Sequence, residues 1–84
     1  MFWVYVLRSE KTGRHYTGSC QDVAERLRRH NAGHSPATRT GVPWLLIHAE
    51  PHPTKAAACA RERHLKTGHG RAELDGLLTT LRSR

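Results

Sequence analysis

The sequence predicts a small α/β domain of the α+β type, a three-stranded, mainly antiparallel sheet flanked by helices in the order β-β-α-β-α-α. Two observations favour this class. Short β-branched and aromatic runs bounded by turn residues predict strands, and capping residues followed by apolar positions at helical spacing predict helices. A chain of 84 residues is expected to form one domain, residues 1–84, with a modest core.

The strands are predicted from three short runs. "FWVYVL" (2–7) is rich in β-branched and aromatic residues, and "HYTGS" (15–19) returns antiparallel to it. Between them "SEKTGR" (9–14) is a turn, in which Gly13 can adopt a positive φ. The third strand, "WLLIHAE" (44–50), is a short apolar run between two prolines.

The first helix follows the second strand. Asp22 is expected to cap it, with Glu25 three residues later in a capping-box-like position. The helix is predicted to run to about Asn31 and to stop near Gly33. The segment 33–43 is rich in Gly, Ser, Thr and Pro and is predicted to be a loop.

Two further helices complete the predicted order. Thr54 is expected to cap the second, which "TGHG" (67–70) ends. The third is predicted over residues 71–81 from its leucines at helical spacing. These leucines are Leu74, Leu77, Leu78 and Leu81.

The charge balance indicates the partner. Fourteen Lys and Arg against seven Asp and Glu give a net charge of +7, which favours nucleic acid ahead of an anionic membrane. No apolar run approaches the roughly 20 residues that cross a bilayer, and the N-terminus lacks signal-peptide features. Cys20 and Cys59 lack metal-ligand spacing and are expected to be reduced thiols. A cytoplasmic protein is therefore expected.

Polar residues fall beside the apolar side of the first helix. Val23 and Leu27 define that side, and His30 projects within about 20° of Val23 at 100° per residue. Arg26 lies on the same flank and neighbours His30, because they are an i,i+4 pair. Each residue also has a non-catalytic alternative. Arg26 can be a surface arginine whose stem covers the edge of the core, and His30 can be a hydrogen-bonded histidine at the end of the helix.

Glu62 lies next to the apolar stripe of the second helix, which Ala58 and Leu65 mark. A carboxylate in this position must be paired, protonated or bound to a cation, since burying an isolated charge is costly. Two alternatives are open: an ion pair, or a divalent metal such as Mg²⁺, which binds one or two carboxylates plus waters. The candidate ion-pair partners are Arg61, Lys66 and Arg26.

The ordered set of these residues resembles the GIY-YIG nuclease family. The first motif is "WVY" (3–5) and the second is "YTG" (16–18), with Arg26, His30 and Glu62 following in the family's order. The pattern is similar to that of small bacterial members and covers about three quarters of the chain. Two differences stand out: Ser19 and Cys20 occupy the place where repair-type members carry a lysine, and no asparagine follows Glu62.

The resemblance implies a metal-dependent endonuclease that hydrolyses phosphodiester bonds in DNA, as in the N-terminal nuclease of the excision-repair C subunit, and a role in DNA repair or processing. It implies one divalent ion, Mg²⁺ or Mn²⁺, as the cofactor. The expected partner is DNA, with branched, nicked and single-stranded forms and RNA all open, and no dedicated protein partner is expected. The alternative function is a nucleic-acid-binding domain of the same fold with little or no cleavage.

The resemblance also implies a role for each of five catalytic residues. Glu62 holds the metal ion, and Arg26 contacts the scissile phosphate through its forked donors. Tyr16 is the general base toward water, with His30 orienting Tyr16 or relaying its proton. Tyr5 positions the water or the phosphate.

One geometric condition follows: the two tyrosines share a sheet face only if they are opposite, are offset by two, or have a bulge between them. Further side chains are expected to contact the nucleic acid. They are Arg28, Arg29, Thr38, Arg39 and Lys66.

Overall fold

Three antiparallel strands form one sheet in the order β2-β1-β3. The structure is a computed structural model and describes residues 1–67, 70, 72–73 and 76. Its elements are β1 (Phe2–Ser9), β2 (His15–Cys20), α1 (Val23–Asn31), a short 3₁₀ helix (Arg39–Gly41), β3 (Trp44–His52) and α2 (Lys55–Leu65). The predicted fold class is confirmed. The predicted third helix (71–81) lies largely outside the described residues.

The hairpin register decides which side chains share a face. Tyr5 pairs with Gly18, and Leu7 pairs with Tyr16. Because side chains alternate between faces, Tyr5 and Tyr16 lie on the same face with an offset of two. The geometric condition for a shared site is therefore met by the register, without a bulge between these strands.

Each face of the sheet carries its own apolar cluster, and each cluster packs against a different helix. The α1 face contains Tyr5, Leu7, Cys20 and Trp44, with Val23 and Leu27 of α1 packed against them. The α2 face contains Val4 and Val6 together with Ala58 and Leu65 of α2. The two helices therefore cover opposite faces. Neither cluster alone is large, as expected for so short a chain.

The helix starts agree with the predicted caps. The Asp22 side chain accepts from the Glu25 backbone N–H at 3.0 Å, and the Thr54 side chain accepts from Ala57 N–H at 3.1 Å. The capping-box-like role of Glu25 is wrong: its carboxylate binds Arg28 instead, because the guanidinium one turn later offers a charged donor.

The third strand is longer than predicted and continues through Pro51 to His52. Proline is tolerated there because β3 is an edge strand, so the missing N–H can face away from the ladder. Within the described part of the chain, no helix is both long and apolar enough to cross a membrane.

Candidate active site

A buried tyrosine–histidine pair lies between β1 and α1. The Tyr5 hydroxyl and His30 Nε2 are 3.0 Å apart, and the two residues are 1% and 3% exposed. The half-buried Tyr16 ring packs beside them, with its centroid 4.9 Å from that of His30 and 6.4 Å from that of Tyr5. Three of the predicted site residues therefore meet on the α1 face.

The second ring nitrogen of His30 is also engaged. Its Nδ1 lies 2.7 Å from the Thr38 hydroxyl, and the Thr38 carbonyl accepts from the Trp44 indole N–H at 2.7 Å. Thr38 is only 1% exposed. The expectation that Thr38 touches a phosphate backbone is therefore corrected: its side chain faces inward and orients His30.

The surroundings favour neutral forms of both groups. Burial, and then the nearby Arg26 charge, lower the pKa of His30 below its usual range. Burial, and then Tyr16, raise the pKa of Tyr5, and Arg26 only partly opposes this. At neutral pH the pair is thus an imidazole beside a protonated phenol. The expectation that His30 relays a proton from Tyr16 is therefore corrected: both ring nitrogens are engaged, with Tyr5 and Thr38, and the contact with Tyr16 is between rings.

Acidification is expected to destabilise the fold through His30. Because its folded pKa lies below the unfolded value of about 6.5, the unfolded chain takes up the proton first. The stability present above about pH 6.5 is then lost as the pH falls toward the folded pKa, by at most about 1.4 kcal/mol per pH unit from this group.

Urea unfolding between about pH 7 and pH 5 measures this effect. His30→Gln should show a shallower loss of stability than the wild type, whereas His15→Gln, at an exposed hairpin position, should keep the wild-type slope. Equal slopes in all three proteins would contradict the assignment.

Gly18 leaves room for the Tyr5 ring. A Cβ at Gly18 would lie 2.6 Å from the Tyr5 hydroxyl oxygen, 2.8 Å from Tyr5 Cζ and 3.2 Å from Tyr16 Cε1. Real Cβ atoms do not approach this closely, so the tyrosines would have to move. The glycine of the "YTG" motif is therefore required by the packing of the two phenols.

Gly18→Ala is expected to displace the Tyr5 phenol from His30 and to destabilise the fold by about 1–3 kcal/mol, the usual cost of overpacking. Denaturant unfolding measures the change. If Gly18→Ala were as stable as the wild type, the close contact at Gly18 would not be limiting.

A basic pocket of about 350 Å³ opens beside this cluster. Tyr16, Arg26 and His30 form one part of its lining. The remainder comes from the end of α1 and the loop that follows, namely Arg29, His34, Ser35 and Pro36. Arg26 is exposed and joins the two tyrosines and His30 as the fourth predicted site residue in one place.

The other predicted contact residues lie at different places. Arg28 is exposed and binds Glu25 through Nε and Nη2 at 3.0 and 2.8 Å, outside the pocket lining. Arg39 is exposed at the start of the 3₁₀ helix. Lys66 is exposed at the end of α2. Their contact with nucleic acid stays a prediction.

Glu62 approaches the sheet from the opposite side. It lies on α2, where Oε1 accepts from the Ser19 hydroxyl at 2.8 Å and Oε2 accepts from Lys66 Nζ at 2.8 Å. It does not line the pocket that holds Tyr16. The ion pair with Lys66 is one of the alternatives left open by the sequence.

The donor set at Glu62 fits a hard divalent ion bound mainly by water and substrate. Partial burial acts to raise the pKa of Glu62, but hydrogen bonds from Lys66 and Ser19 and the Lys66 charge outweigh it and lower the pKa. The carboxylate is therefore ionised at neutral pH. Among the described residues no group of three or more His, Cys, Asp or Glu side chains can hold a metal. A divalent ion at Glu62 would therefore have few protein ligands, an arrangement that Mg²⁺ accepts.

The fold and this cluster define the chain as a small α+β domain with a buried tyrosine–histidine pair beside a basic pocket. A family model for the GIY-YIG catalytic domain matches residues 1–75, and the chain belongs to this family. The family supports an endonuclease-type function with a nucleic-acid substrate. The resemblance found in the sequence is thereby confirmed.

Relatives of the chain carry the name UPF0213. It is 38% identical to a UPF0213 protein of Streptococcus sanguinis over 86% of this chain and 83% of that protein. A UPF0213 protein of Haloquadratum walsbyi is 43% identical over 62% of this chain, and the match spans 60% of that protein. The structure of this chain is similar to the solution NMR structure of a UPF0213 protein from Bacillus halodurans, with a TM-score of 0.56 and 30% sequence identity between the two. The match covers 92% of this chain and 85% of that one.

Sequence reasoning missed the loop side of the site. The role of Thr38 and the positions of His34 and Ser35 depend on how the chain turns back after α1. Gly33 predicted the end of the helix, and its φ of +79° confirms that prediction. No sequence periodicity predicts which part of the fold a loop packs against.

Proposed function

We propose that this chain is a divalent-metal-dependent endonuclease that hydrolyses phosphodiester bonds in DNA, with a role in DNA repair or processing. The observation that carries the proposal is the meeting of Tyr5, Tyr16, Arg26 and His30 beside one basic pocket. A buried hydrogen-bonded phenol, a half-exposed phenol and an arginine suit water activation next to a phosphate.

The edge of β2 is the proposed location of the scissile phosphate. β2 is an edge strand, with Tyr16 directed to one face and Ser19, bonded to Glu62, directed to the other. A phosphate against this edge can be approached from both faces.

In the proposed reaction, Tyr16 acts in its phenolate form and accepts a proton from the attacking water, while Arg26 binds the non-bridging phosphate oxygens. The new bond joins the water oxygen to phosphorus, the bond between phosphorus and the 3′-oxygen breaks, and the 3′-oxygen takes a proton from solvent. Tyr5 keeps its proton and, because it is buried and bonded to His30, positions the water or the phosphate only through the Tyr16 ring beside it. A divalent ion on Glu62 would supply charge compensation for the leaving oxygen.

The test is incubation with single-stranded, nicked, branched and duplex DNA, and with RNA, with and without Mg²⁺ or Mn²⁺. The expected result is a cut DNA product only when a metal is present. Stronger cleavage of nicked or branched DNA than of plain duplex is the result expected for a role in repair. Preferred cleavage of RNA would overturn the assignment of DNA as substrate.

A second candidate is a nucleic-acid-binding domain with little or no cleavage. The observation that favours it is the ion pair between the Glu62 carboxylate and the Lys66 ammonium group, which supplies a positive charge without a metal. This candidate predicts salt-sensitive DNA binding with no cut product under any metal condition. The same incubation, combined with a binding titration, separates the two functions.

A further inference from the structure

The outer wall of the basic pocket is not used by the proposed reaction. Tyr16, Arg26 and His30 have roles in that reaction, whereas the pocket extends beyond them along the end of α1. Its further lining consists of Arg29, His34, Ser35 and Pro36. A volume of about 350 Å³ exceeds what one phosphate group fills, so the pocket has space for more of the strand.

Backbone hydrogen bonds fix this wall. Gly33 has a φ of +79°, and its N–H donates to the His30 carbonyl at 3.1 Å, while the His34 N–H donates to the Arg29 carbonyl at 3.1 Å. These two bonds form a Schellman motif at the end of α1. His34 is thereby held close to Arg29. Because the backbone of the wall is already ordered, less conformational entropy is lost there when a ligand binds.

The charges of the wall suit an anion. Arg26 and Arg29 are three residues apart and so lie on neighbouring turns, with about 5–6 Å between their Cβ atoms. Arg29 binds Glu25 only through Nε, in an exposed pair at 3.2 Å, and such pairs contribute little. Its terminal nitrogens are directed to no carboxylate in the ion pairs of the described residues. Ser35 adds a hydroxyl donor.

We propose that Arg29, His34 and Ser35 form a second phosphate subsite, which binds the phosphate next to the scissile one on the cleaved strand. The inference rests on the proposed function, because it takes the scissile phosphate to lie at Tyr16 and Arg26. The ligand is an oligonucleotide that places two successive phosphates along α1. A mononucleotide occupies only one of the two positions.

Strands with a single neutral methylphosphonate test the subsite. DNA strands are prepared with this replacement at one position at a time around the cut site. Binding is measured by fluorescence anisotropy without metal, and cleavage with Mg²⁺. For the wild type, one flanking replacement is expected to weaken binding by at least about tenfold, because the replacement removes hydrogen bonds to a charged group.

Matched variants identify the residues responsible. Arg29→Gln and His34→Gln should weaken binding of the unmodified strand about tenfold and lose sensitivity at that one flanking position. Arg14→Gln and His15→Gln change the same residue types at exposed positions outside the pocket lining and should keep the wild-type sensitivity at that flanking position. Circular dichroism checks that each variant is folded.

The outcomes separate this inference from the proposed function. Equal sensitivity at every flanking position, or the same response in all four variants, would refute the subsite and leave the nuclease assignment intact. Absence of any cut product from the unmodified strand with Mg²⁺ or Mn²⁺ would refute the proposed function. In that case the anisotropy measurements with the methylphosphonate strands alone decide whether the pocket binds a backbone phosphate.

Discussion

Tyr16→Phe is expected to lower the rate of metal-dependent DNA nicking by roughly 10²–10⁴-fold, the usual contribution of a positioned general base. Tyr16 is the phenol that opens onto the pocket, whereas Tyr5 is buried and its raised pKa keeps it protonated. Phenylalanine preserves the ring contact with His30, so the fold should be retained. Single-turnover cleavage under saturating protein measures the effect on the chemical step.

Tyr5→Phe is the informative comparison. It removes the hydroxyl that bonds His30 and leaves a buried ring nitrogen without its partner, which costs about 1–3 kcal/mol of stability. Tyr16→Phe should leave stability nearly unchanged. The two phenols are thus distinguished by the effects of their removal. Tyr16→Phe lowers the rate of nicking alone, whereas Tyr5→Phe lowers both the stability of the fold and the rate. Undiminished nicking by Tyr16→Phe would rule out its role as the base.

Removing the Glu62 carboxylate is expected to abolish nicking. Glu62→Ala and the isosteric Glu62→Gln should both lose divalent-ion binding, and a bound metal contributes several kcal/mol of transition-state stabilisation, which corresponds to at least about 100-fold in rate. Glu62→Gln can still accept from the Ser19 hydroxyl, so it is the variant more certain to fold. Calorimetric titration with Mn²⁺ reports metal binding independently of cleavage.

Glu10→Gln is the matched control for this change. It makes the same change of one charge at an exposed residue next to the hairpin turn, far in sequence from α2. Wild-type Mn²⁺ binding and nicking are expected for it. If Glu62→Gln bound Mn²⁺ as tightly as the wild type, the metal would have to be held elsewhere, and the assigned role of Glu62 would be wrong.

Lys66 gives the Glu62 site a further property. Its ammonium group is bonded to one oxygen of the carboxylate, so a divalent ion bound at Glu62 would have to displace or share that position. The pair is exposed on the Lys66 side only, with 51% of that side chain accessible against 23% for Glu62. A lysine displaced by such an ion would be available to a phosphate.

Much of the fold could be predicted from the sequence because it depends on local rules. The strands follow from β-branched and aromatic runs, and the helix starts from Asp22 and Thr54, whose side chains cap backbone N–H groups three residues later. The burial of His30 follows from helical periodicity with Val23. These features need only neighbours in sequence.

The partners of the site residues could not be predicted in the same way. Helical spacing placed His30 toward the core, but two tyrosines were available to it, and the hydrogen bond goes to Tyr5. Thr38 was assigned to the surface because its segment is a loop by composition. It is buried because that loop folds back to close the α1 face, with the Trp44 indole donating to its carbonyl.

The order of residue types along the chain by itself determined the family, the strands, the capped helices and the set of candidate site residues. The tertiary structure alone decided that Tyr5 and Tyr16 share a face and that Glu62 comes from the other side of the sheet. The physical reason is that a strand has two faces and a helix can cover either one. Only the strand register and the path of the connecting loops select between them.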